Sequence, residues 1–260
     1  MTRSGPPLAA LGLALALGLA PLGAAPARAQ DGTAEQEREY QDCMILARAA
    51  PADGLESALS WAALGGGDGA RHCAAVALIG LGQYREAARR LERLAAELRA
   101  GNPALSLDVL VQAGQAWNLA GDATRAHAVQ SAALDIDPDN VELLLDRGIT
   151  LASAKNYWEA VDDFNRALEL APARPDLLTL RASAYRTLDA LDLARADIAR
   201  ALTHAPNNPD ALLERGVLRR LAGDKAGARD DWLRVIALAE GTPTADTARA
   251  NLARLDVKVE

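Results

Sequence analysis

The two cysteines are the residues whose chemistry is easiest to foresee. The sequence contains Cys43 and Cys73 and no other cysteine. An even pair is typical of a disulfide in an oxidising compartment, where a bridge closing a loop of this size contributes about 3 to 4 kcal/mol in the chain-entropy model. The alternative is two small buried thiols, because free cysteine is among the most buried residue types. His72 adjoins Cys73, but no CxxC or HxxxH spacing accompanies them, so we predict no metal site.

Other side chains that could support catalysis form no recognisable constellation. The three histidines, His72, His127 and His204, are far apart along the chain. There is no GxSxG, no HExxH and no phosphate-binding glycine motif. The glycine-rich segment from Gly65 to Gly69 precedes a degenerate helix pair and is interpreted as a flexible connector. We therefore expect no enzymatic activity, no cofactor and no catalytic, cofactor-binding or metal-binding residue.

Arginine and aspartate recur together at a fixed interval. Arg147, Arg181 and Arg215 repeat every 34 residues, and Asp163, Asp197 and Asp231 repeat in phase with them. This predicts structural ion pairs, within one unit or between neighbours, of the exposed and weak kind. The alternative is a row of arginines that binds an anionic ligand. The preceding unit has Ala113 and Val129 at these places, so both partners are missing together.

A second charged column is acidic throughout. Asp108, Glu142, Asp176 and Asp210 each lie near the predicted start of a helix. A carboxylate there complements the helix dipole and can cap free N–H groups. The competing interpretation is an acidic ladder that attracts basic peptides.

These columns belong to a wider repeat of 34 residues, which is typical of stacked helix pairs. Small residues, leucines and closing prolines recur in register. The columns are Gly114, Gly148, Ala182 and Gly216; Ala126, Ala160, Ala194 and Ala228; Leu110, Leu144, Leu178 and Leu212; and Pro138, Pro172 and Pro206. The composition, 50% hydrophobic but only 3% aromatic, suits helices packed closely through alanine and leucine.

The pattern resembles the tetratricopeptide repeat, a helix-turn-helix unit with small residues where its two helices cross. The resemblance covers 107–242 as four units, 107–140, 141–174, 175–208 and 209–242. It implies an all-α fold, a right-handed α-solenoid, with degenerate helical pairs over 30–106 and a C-terminal capping helix and tail over 243–260. Arg219, where the pattern prefers an aromatic residue, and Glu240, where it prefers proline, depart from the repeat.

The resemblance also implies a concave surface, lined by the first helix of each unit, on which this family holds peptides or partner helices. The expected partner-binding residues are Val111, Gln115, Asn118, Leu145, Ile149, Thr179, Ser183, Arg186, Leu213, Val217 and Arg220. They make a mixed surface with a basic end. The Lys and Asn arrangement by which chaperone-binding members clamp a C-terminal carboxylate is missing, and each residue could equally be ordinary half-buried packing.

The N-terminal residues predict export. Arg3 precedes an apolar run over 8–20, and small residues flank Arg28, so residues 1–29 are interpreted as a cleaved secretory signal peptide. The run is too short to span a bilayer, and no membrane insertion of the mature chain is expected. Cleavage would remove Arg3 and Arg28, leaving 26 basic against 35 acidic residues and moving the net charge from -7 to -9. Such a charge disfavours nucleic acid as a partner.

Taken together, the sequence predicts an exported scaffold or adaptor that binds a protein or peptide in the bacterial periplasm or cell envelope. Export favours the bridge between Cys43 and Cys73 over free thiols. The alternatives are a self-associating structural protein, such as a homodimer, and an envelope hydrolase.

Overall fold

The computed structural model describes residues 28–256, which form thirteen α-helices and no strand within that range. The predicted signal peptide lies outside the described residues except for Arg28 and Ala29, which begin α1. The helices are α1 (Arg28–Ala49), α2 (Pro51–Ala63), α3 (Gly67–Gly80), α4 (Tyr84–Leu98), α5 (Pro103–Leu119), α6 (Ala123–Leu134), α7 (Val141–Ser153), α8 (Tyr157–Leu170), α9 (Pro175–Thr187), α10 (Leu191–His204), α11 (Pro209–Leu221), α12 (Lys225–Leu238) and α13 (Pro243–Asp256).

The helices from α2 to α13 pack mainly against the helices next to them in sequence, and α1 packs on both α2 and α3, so the described residues form a stack of helix pairs. Most of the buried apolar residues from α3 to α11 form one continuous core, and separate clusters lie at the two ends. A single pair would leave an apolar face bare, and stacking covers it. The predicted all-α solenoid is confirmed.

Small residues occupy the crossings between paired helices. Gly148 lies against the ring of Phe164, and Gly216 lies against Trp232, so a Cβ at either glycine would collide with the aromatic ring. Ala160, Ala194 and Ala228 are fully buried. Close approach of the backbones therefore explains the small columns of the sequence.

Helix starts depend on asparagine and proline more than on the acidic column. The side chains of Asn102, Asn140 and Asn208 accept hydrogen bonds from the third residue that follows each of them. Glu142, Asp176 and Asp210 lie in first helical turns, but Asp108 does not, because Asn102 starts α5 at Pro103. The expectation that this column caps the helices is wrong for Asp108, and where it meets a first turn its role is to complement the dipole.

The turns inside the four central units share one conformation. Gly121 and Gly223 have φ of 72° and 87°, and Lys155 and Asp189, at the same place, have φ of 67° and 61°. Each turn closes with a pair of backbone hydrogen bonds of the Schellman type, such as Asn156 N–H to the Leu151 carbonyl. The left-handed residue therefore closes all four turns, including the two that lack glycine.

The N-terminal pairs are tied together by the disulfide. Cys43 on α1 and Cys73 on α3 are bonded, with their Cα atoms 6.1 Å apart.

The segment from Gly65 to Gly69 is not a loose connector, because it folds around Trp61. A Cβ at Gly66 or Gly69 would lie 2.6 or 2.7 Å from that indole ring. The glycines therefore permit a close contact with an aromatic side chain.

The stack ends in α13, which packs on α12 and α11. Ala245 and Ala248 are fully buried against the last pair, and Thr244 donates a hydrogen bond to Asp210 at the start of α11. The exposed side of α13 is polar, as the terminal helix of a stack requires.

Candidate protein-binding groove

One face of the stack is formed by the first helices of successive pairs, and polar side chains bridge these helices. Asn118 on α5 donates to the hydroxyl of Thr150 on α7 over 2.9 Å. The guanidinium of Arg174 at the start of α9 pairs with Glu142 on α7. Such contacts hold the first helices side by side and define the surface, called the groove here, that these helices line.

The eleven residues predicted to face the groove are mostly accessible to solvent. Ile149 is 42% exposed, and Gln115, Asn118 and Arg220 are also exposed. The half-exposed members are Val111, Leu145, Ser183, Arg186, Leu213 and Val217. Thr179 differs, since it is buried and its hydroxyl donates to the Pro175 carbonyl. Thr179 therefore supports α9 internally and offers little to a partner.

The predicted basic end of the groove is partly neutralised. Arg186 pairs with Glu214, a buried carboxylate on the neighbouring first helix, and also donates to Ser183. Arg220 makes no hydrogen bond or ion pair with any residue in 28–256. A single accessible guanidinium thus remains at this end.

Asp146 adds an acidic group beside the predicted groove residue Gln115. Burial raises the pKa of its carboxyl, and a hydrogen bond from Gln115 opposes that rise. The centre of the groove therefore combines a carboxyl and an amide with the aliphatic surface of Leu145 and Ile149.

A cleft of about 450 Å³ opens at the N-terminal end of the stack. Its walls are Tyr40, Trp61, His72 and the glycine segment. Its other lining residues are Gln36, Glu37, Asp68, Leu94, Leu98, Leu105 and Val109. The aromatic rings of Tyr40 and His72 are stacked with their centroids 5.9 Å apart. The cleft is thus mainly apolar and aromatic, with carboxylates at its edge.

A chain of hydrogen bonds runs across three helices beside this cleft. The hydroxyl of Tyr40 lies 2.8 Å from His72 Nδ1, and His72 Nε2 lies 3.0 Å from Gln112 Oε1. Because an amide oxygen only accepts, Nε2 carries the proton and Tyr40 donates to Nδ1. Burial lowers the pKa of His72, against the hydrogen bond to Gln112, so the ring is neutral at pH 7.

Sequence reasoning missed the cleft. It treated His72 as an isolated histidine and the glycine segment as a connector, and it gave Trp61 no role. The available signal was the combination of Trp61 with two glycines at close spacing, which is what a loop packed on an indole ring needs. The topology that brings Tyr40, His72 and Gln112 together could not be obtained from spacing.

The repeating arginines and aspartates form ion pairs within each unit, as predicted. Arg147 meets Asp163 through two hydrogen bonds of 2.8 and 2.7 Å, and the pairs in the next two units have the same two-point geometry. The carboxylates are buried, with Asp197 3% exposed, so the expectation of exposed pairs is wrong. Arg147 and Arg181 each also donate to the second helix of the preceding unit, to Ser131 and Asn165. Their guanidiniums are therefore occupied within the protein, which argues against a row of three ligand-binding arginines.

Two features bear on other functions. Among the described residues, no group of three or more His, Cys, Asp or Glu is arranged to hold a metal ion. Between Arg28 and Asp256, no helix has the length and apolar character needed to cross a lipid bilayer.

Comparison with known proteins agrees with the repeat pattern. Residues 120–184 match the family model described as tetratricopeptide repeat. The solved structure of MamA 41-end from Desulfovibrio magneticus RS-1 is 21% identical, covers 65% of this chain and 93% of its own, and superposes with a TM-score of 0.55. YrrB, described as a TPR protein with an unusual peptide-binding site, is 18% identical, covers 70% of this chain and 91% of its own, and has a TM-score of 0.52. No curated protein sequence matches the chain.

The 34-residue columns, the shared turn and the family match define a helical-repeat protein. Residues 120–184 match the tetratricopeptide repeat model, and the described helices share the fold of the tetratricopeptide repeat structures named above.

Proposed function

We propose that this protein is an interaction scaffold that binds a segment of a protein partner along the groove. The observation that carries the proposal is the exposure of Ile149, Gln115 and Asn118 on the inner side of the first helices, where apolar and amide groups are left accessible. A surface of this kind provides apolar contact area and a few hydrogen-bonding groups that fix orientation. The description of YrrB names a peptide-binding site in a protein of the same fold, which supports the proposal by analogy of fold.

We infer that the N-terminal cleft provides a further part of the binding surface. It lies beside the hydrogen-bonded chain that links α1, α3 and α5, and it can accept one bulky side chain of a bound segment. Tyr40 and Trp61 supply a large contact area at little cost in conformational entropy. We infer that the groove binds an extended or helical peptide segment and that the cleft anchors it.

We also propose that the protein is exported and works in the periplasm. The supporting observations are the N-terminal apolar run of the sequence and the disulfide, which persists in oxidising compartments. Mass spectrometry of the protein purified from its host should find a chain that begins at Gln30. A chain that retains residues 1–29, recovered from the cytoplasmic fraction, would contradict export.

Site-specific photocrosslinking tests the scaffold proposal. A photoreactive residue at Ile149 on α7 should crosslink one partner, and the same residue at Leu193 on α10 serves as the control, because both positions are exposed aliphatic sites, 42% and 51% accessible. The proposal expects a partner band from Ile149 that is missing from Leu193. Equal capture by both positions would contradict it, and a product of twice the chain mass would indicate self-association instead.

A further inference from the structure

The seam between α10 and α11 contains a groove of about 580 Å³ that the Proposed function does not use. Its lining residues on α10 are Arg195, Ile198, Ala199, Leu202 and Thr203, and the others are Arg215, Leu218, Arg219, Ala222 and Asp224. At 100° per residue, Arg215 and Arg219 lie roughly 160° around α11 from Val217. This surface, called the seam pocket here, is therefore separate from the groove of the first helices.

The preceding seam shows why this one is open. Positions 34 residues earlier fill the space between α8 and α9 with larger or apolar side chains. Val161, Asn165, Tyr185 and Leu188 correspond there to Arg195, Ala199, Arg219 and Ala222. Val161 is buried and Tyr185 is half-buried, and Tyr185 packs under the guanidinium of Arg181. At the seam between α10 and α11, these four positions no longer carry the side chains that occupy the preceding seam, and the pocket results. Arg219, which departs from the aromatic residue of the repeat pattern, is one of the four.

The replacements also leave a guanidinium without its usual partner. Arg181 Nη1 donates to Asn165 over 2.7 Å, and Arg147 Nη1 donates to Ser131 over 3.1 Å. Arg215 has Ala199 at the corresponding place, and its Nη1 makes no hydrogen bond with the described residues. One donor edge of Arg215 is therefore open toward the pocket.

Two guanidiniums of α11 share one buried carboxylate at this point. Arg215 and Arg219 both donate to Asp231, at 2.9 and 2.8 Å from its Oδ2. In the two preceding units, one arginine of the first helix faces each aspartate. Asp224 lies 3.8 Å from Arg219 but is committed to capping α12 through Gly227 N–H. Arg195, the third guanidinium of the lining, is paired with Asp192 on its own helix. A bound carboxylate would therefore pair with the donor edge of Arg215 that is left open beside Arg219.

The remaining lining of the pocket is apolar. Ile198 and Leu218 are almost fully buried, 1% and 3% exposed, and Leu202 is half-buried beside them. An aliphatic side chain of a ligand can pack on this floor while a neighbouring carboxylate reaches Arg215 and Arg219. Guanidinium and carboxylate pair with two-point geometry, which makes arginine suitable for this recognition.

We propose that the seam pocket binds a peptide segment of a protein partner in which an aliphatic residue is flanked by acidic residues. The carboxylate pairs with Arg215 Nη1 and Arg219, and the aliphatic side chain lies on Ile198, Leu202 and Leu218. The site is a second recognition surface, and its occupancy does not depend on the groove.

Fluorescence anisotropy with a labelled peptide of sequence Gly-Glu-Leu-Glu-Gly, and a twin with Gln in place of Glu, tests the proposal. Refilling variants take their residues from the preceding seam, Ala199→Asn to occupy Arg215 and Arg219→Tyr to fill the space. Each should weaken binding of the acidic peptide by roughly tenfold or more, as expected for loss of a charged hydrogen bond. The acidic peptide should bind the parent protein at least tenfold more tightly than its twin, and binding should weaken as salt is added.

Ile149→Asp, on the groove, is the matched control and should leave binding of this peptide unchanged. Thermal unfolding distinguishes filling from damage, because the refilled variants should unfold at the same or a higher temperature than the parent. Three results would overturn the proposal. The first is the absence of binding at peptide concentrations up to about 1 mM. The second is equal binding of the acidic peptide and its Gln twin. The third is unchanged binding by refilled variants that are correctly folded. If the groove proposal fails, the photocrosslinking at Ile149 gives no specific partner, and the binding of the acidic peptide to the seam pocket is unaffected.

Discussion

At the scale of single residues, the repeated arginine and aspartate pairs are the clearest case in which spacing predicts a contact. Arg181 and Asp197 are 16 residues apart and meet across one helix pair. The period in the sequence was sufficient to predict the pairing, but not the burial of the carboxylate, because burial depends on how the next unit covers it. A buried pair is costly to break and cheap to replace as a whole.

In the first unit, 107–140, two apolar residues take the place of the ion pair, and both of them, Ala113 and Val129, are buried. We expect Arg181→Ala to lower the free energy of unfolding by about 3 kcal/mol, because it leaves a buried carboxylate unpaired. Adding Asp197→Val should recover part of that loss. Urea titration of both variants and of Asp197→Val alone measures the coupling, and strictly additive losses would contradict a buried pair.

Turn residues are a second case at this scale, and here sequence reasoning failed. Lys155 and Asp189 did not look like left-handed residues, yet both have positive φ. A side chain in that region costs about 1 kcal/mol relative to glycine. Lys155→Gly and Asp189→Gly should therefore stabilise the protein by about that amount, as a rise in melting temperature.

Gly223 is the matched control for these turns, with φ of 87° and no neighbour that a Cβ would touch. Gly223→Ala should destabilise through backbone strain alone. A lower melting temperature for Lys155→Gly together with an unchanged melting temperature for Gly223→Ala would contradict the left-handed conformation assigned to these turns.

At the scale of helices, the N-terminal pairs are the part that the sequence described least well. The helix starts at Val141, Pro175 and Pro209 coincide with the first residues of predicted units, whereas α5 begins at Pro103, ahead of 107. Asn102 and Pro103, which lie ahead of the predicted unit, act as the cap and the first turn of α5. Where units are degenerate, local capping groups decide the boundaries and the repeat period no longer does.

The disulfide should stabilise this region alone. Removing it with Cys43→Ser and Cys73→Ser should cost about 3 to 4 kcal/mol in the chain-entropy model. Hydrogen exchange should show faster exchange in α1 and α3, while α9 to α12 keep their protection, because each unit contacts only its neighbours. Uniform loss of protection along the stack would show that the chain unfolds as one cooperative unit.

His72 should make the N-terminal pairs sensitive to acid. Burial lowers the pKa of this histidine, and the positive charge of Arg48 lowers it further, while Gln112 and Asp108 oppose the shift. The unfolded chain therefore binds more protons than the folded one below about pH 6.5, and stability falls as the pH drops from there through the folded pKa.

Protection of α3 against hydrogen exchange, compared at pH 7 and pH 5.5, measures this effect. The control is His72→Gln, which cannot titrate and should lose the added dependence on pH. Equal pH dependence in the parent and in His72→Gln would show that His72 makes no contribution.

At the scale of the whole molecule, the repeat period was enough to predict the fold, but it did not predict which ligand the protein binds. A period of 34 residues, small crossing residues and closing prolines were enough to predict the solenoid. The predicted groove residues were chosen from the same columns, and most of them are accessible. The cleft at Tyr40 and the seam pocket at Arg215 were missed, because both arise where the repeat is broken and depend on which neighbours meet across helices.

Binding of the crosslinked partner by two charged variants is the most direct test of the central claim, that the groove is the partner-binding surface. Ile149→Asp places a carboxylate in the middle of the groove, and Leu193→Asp places the same group at a similarly exposed site on α10. We predict that Ile149→Asp weakens the affinity by at least roughly tenfold and that Leu193→Asp leaves it within about twofold of the parent. Equal affinities for the parent and Ile149→Asp, or a larger loss in Leu193→Asp, would contradict the account.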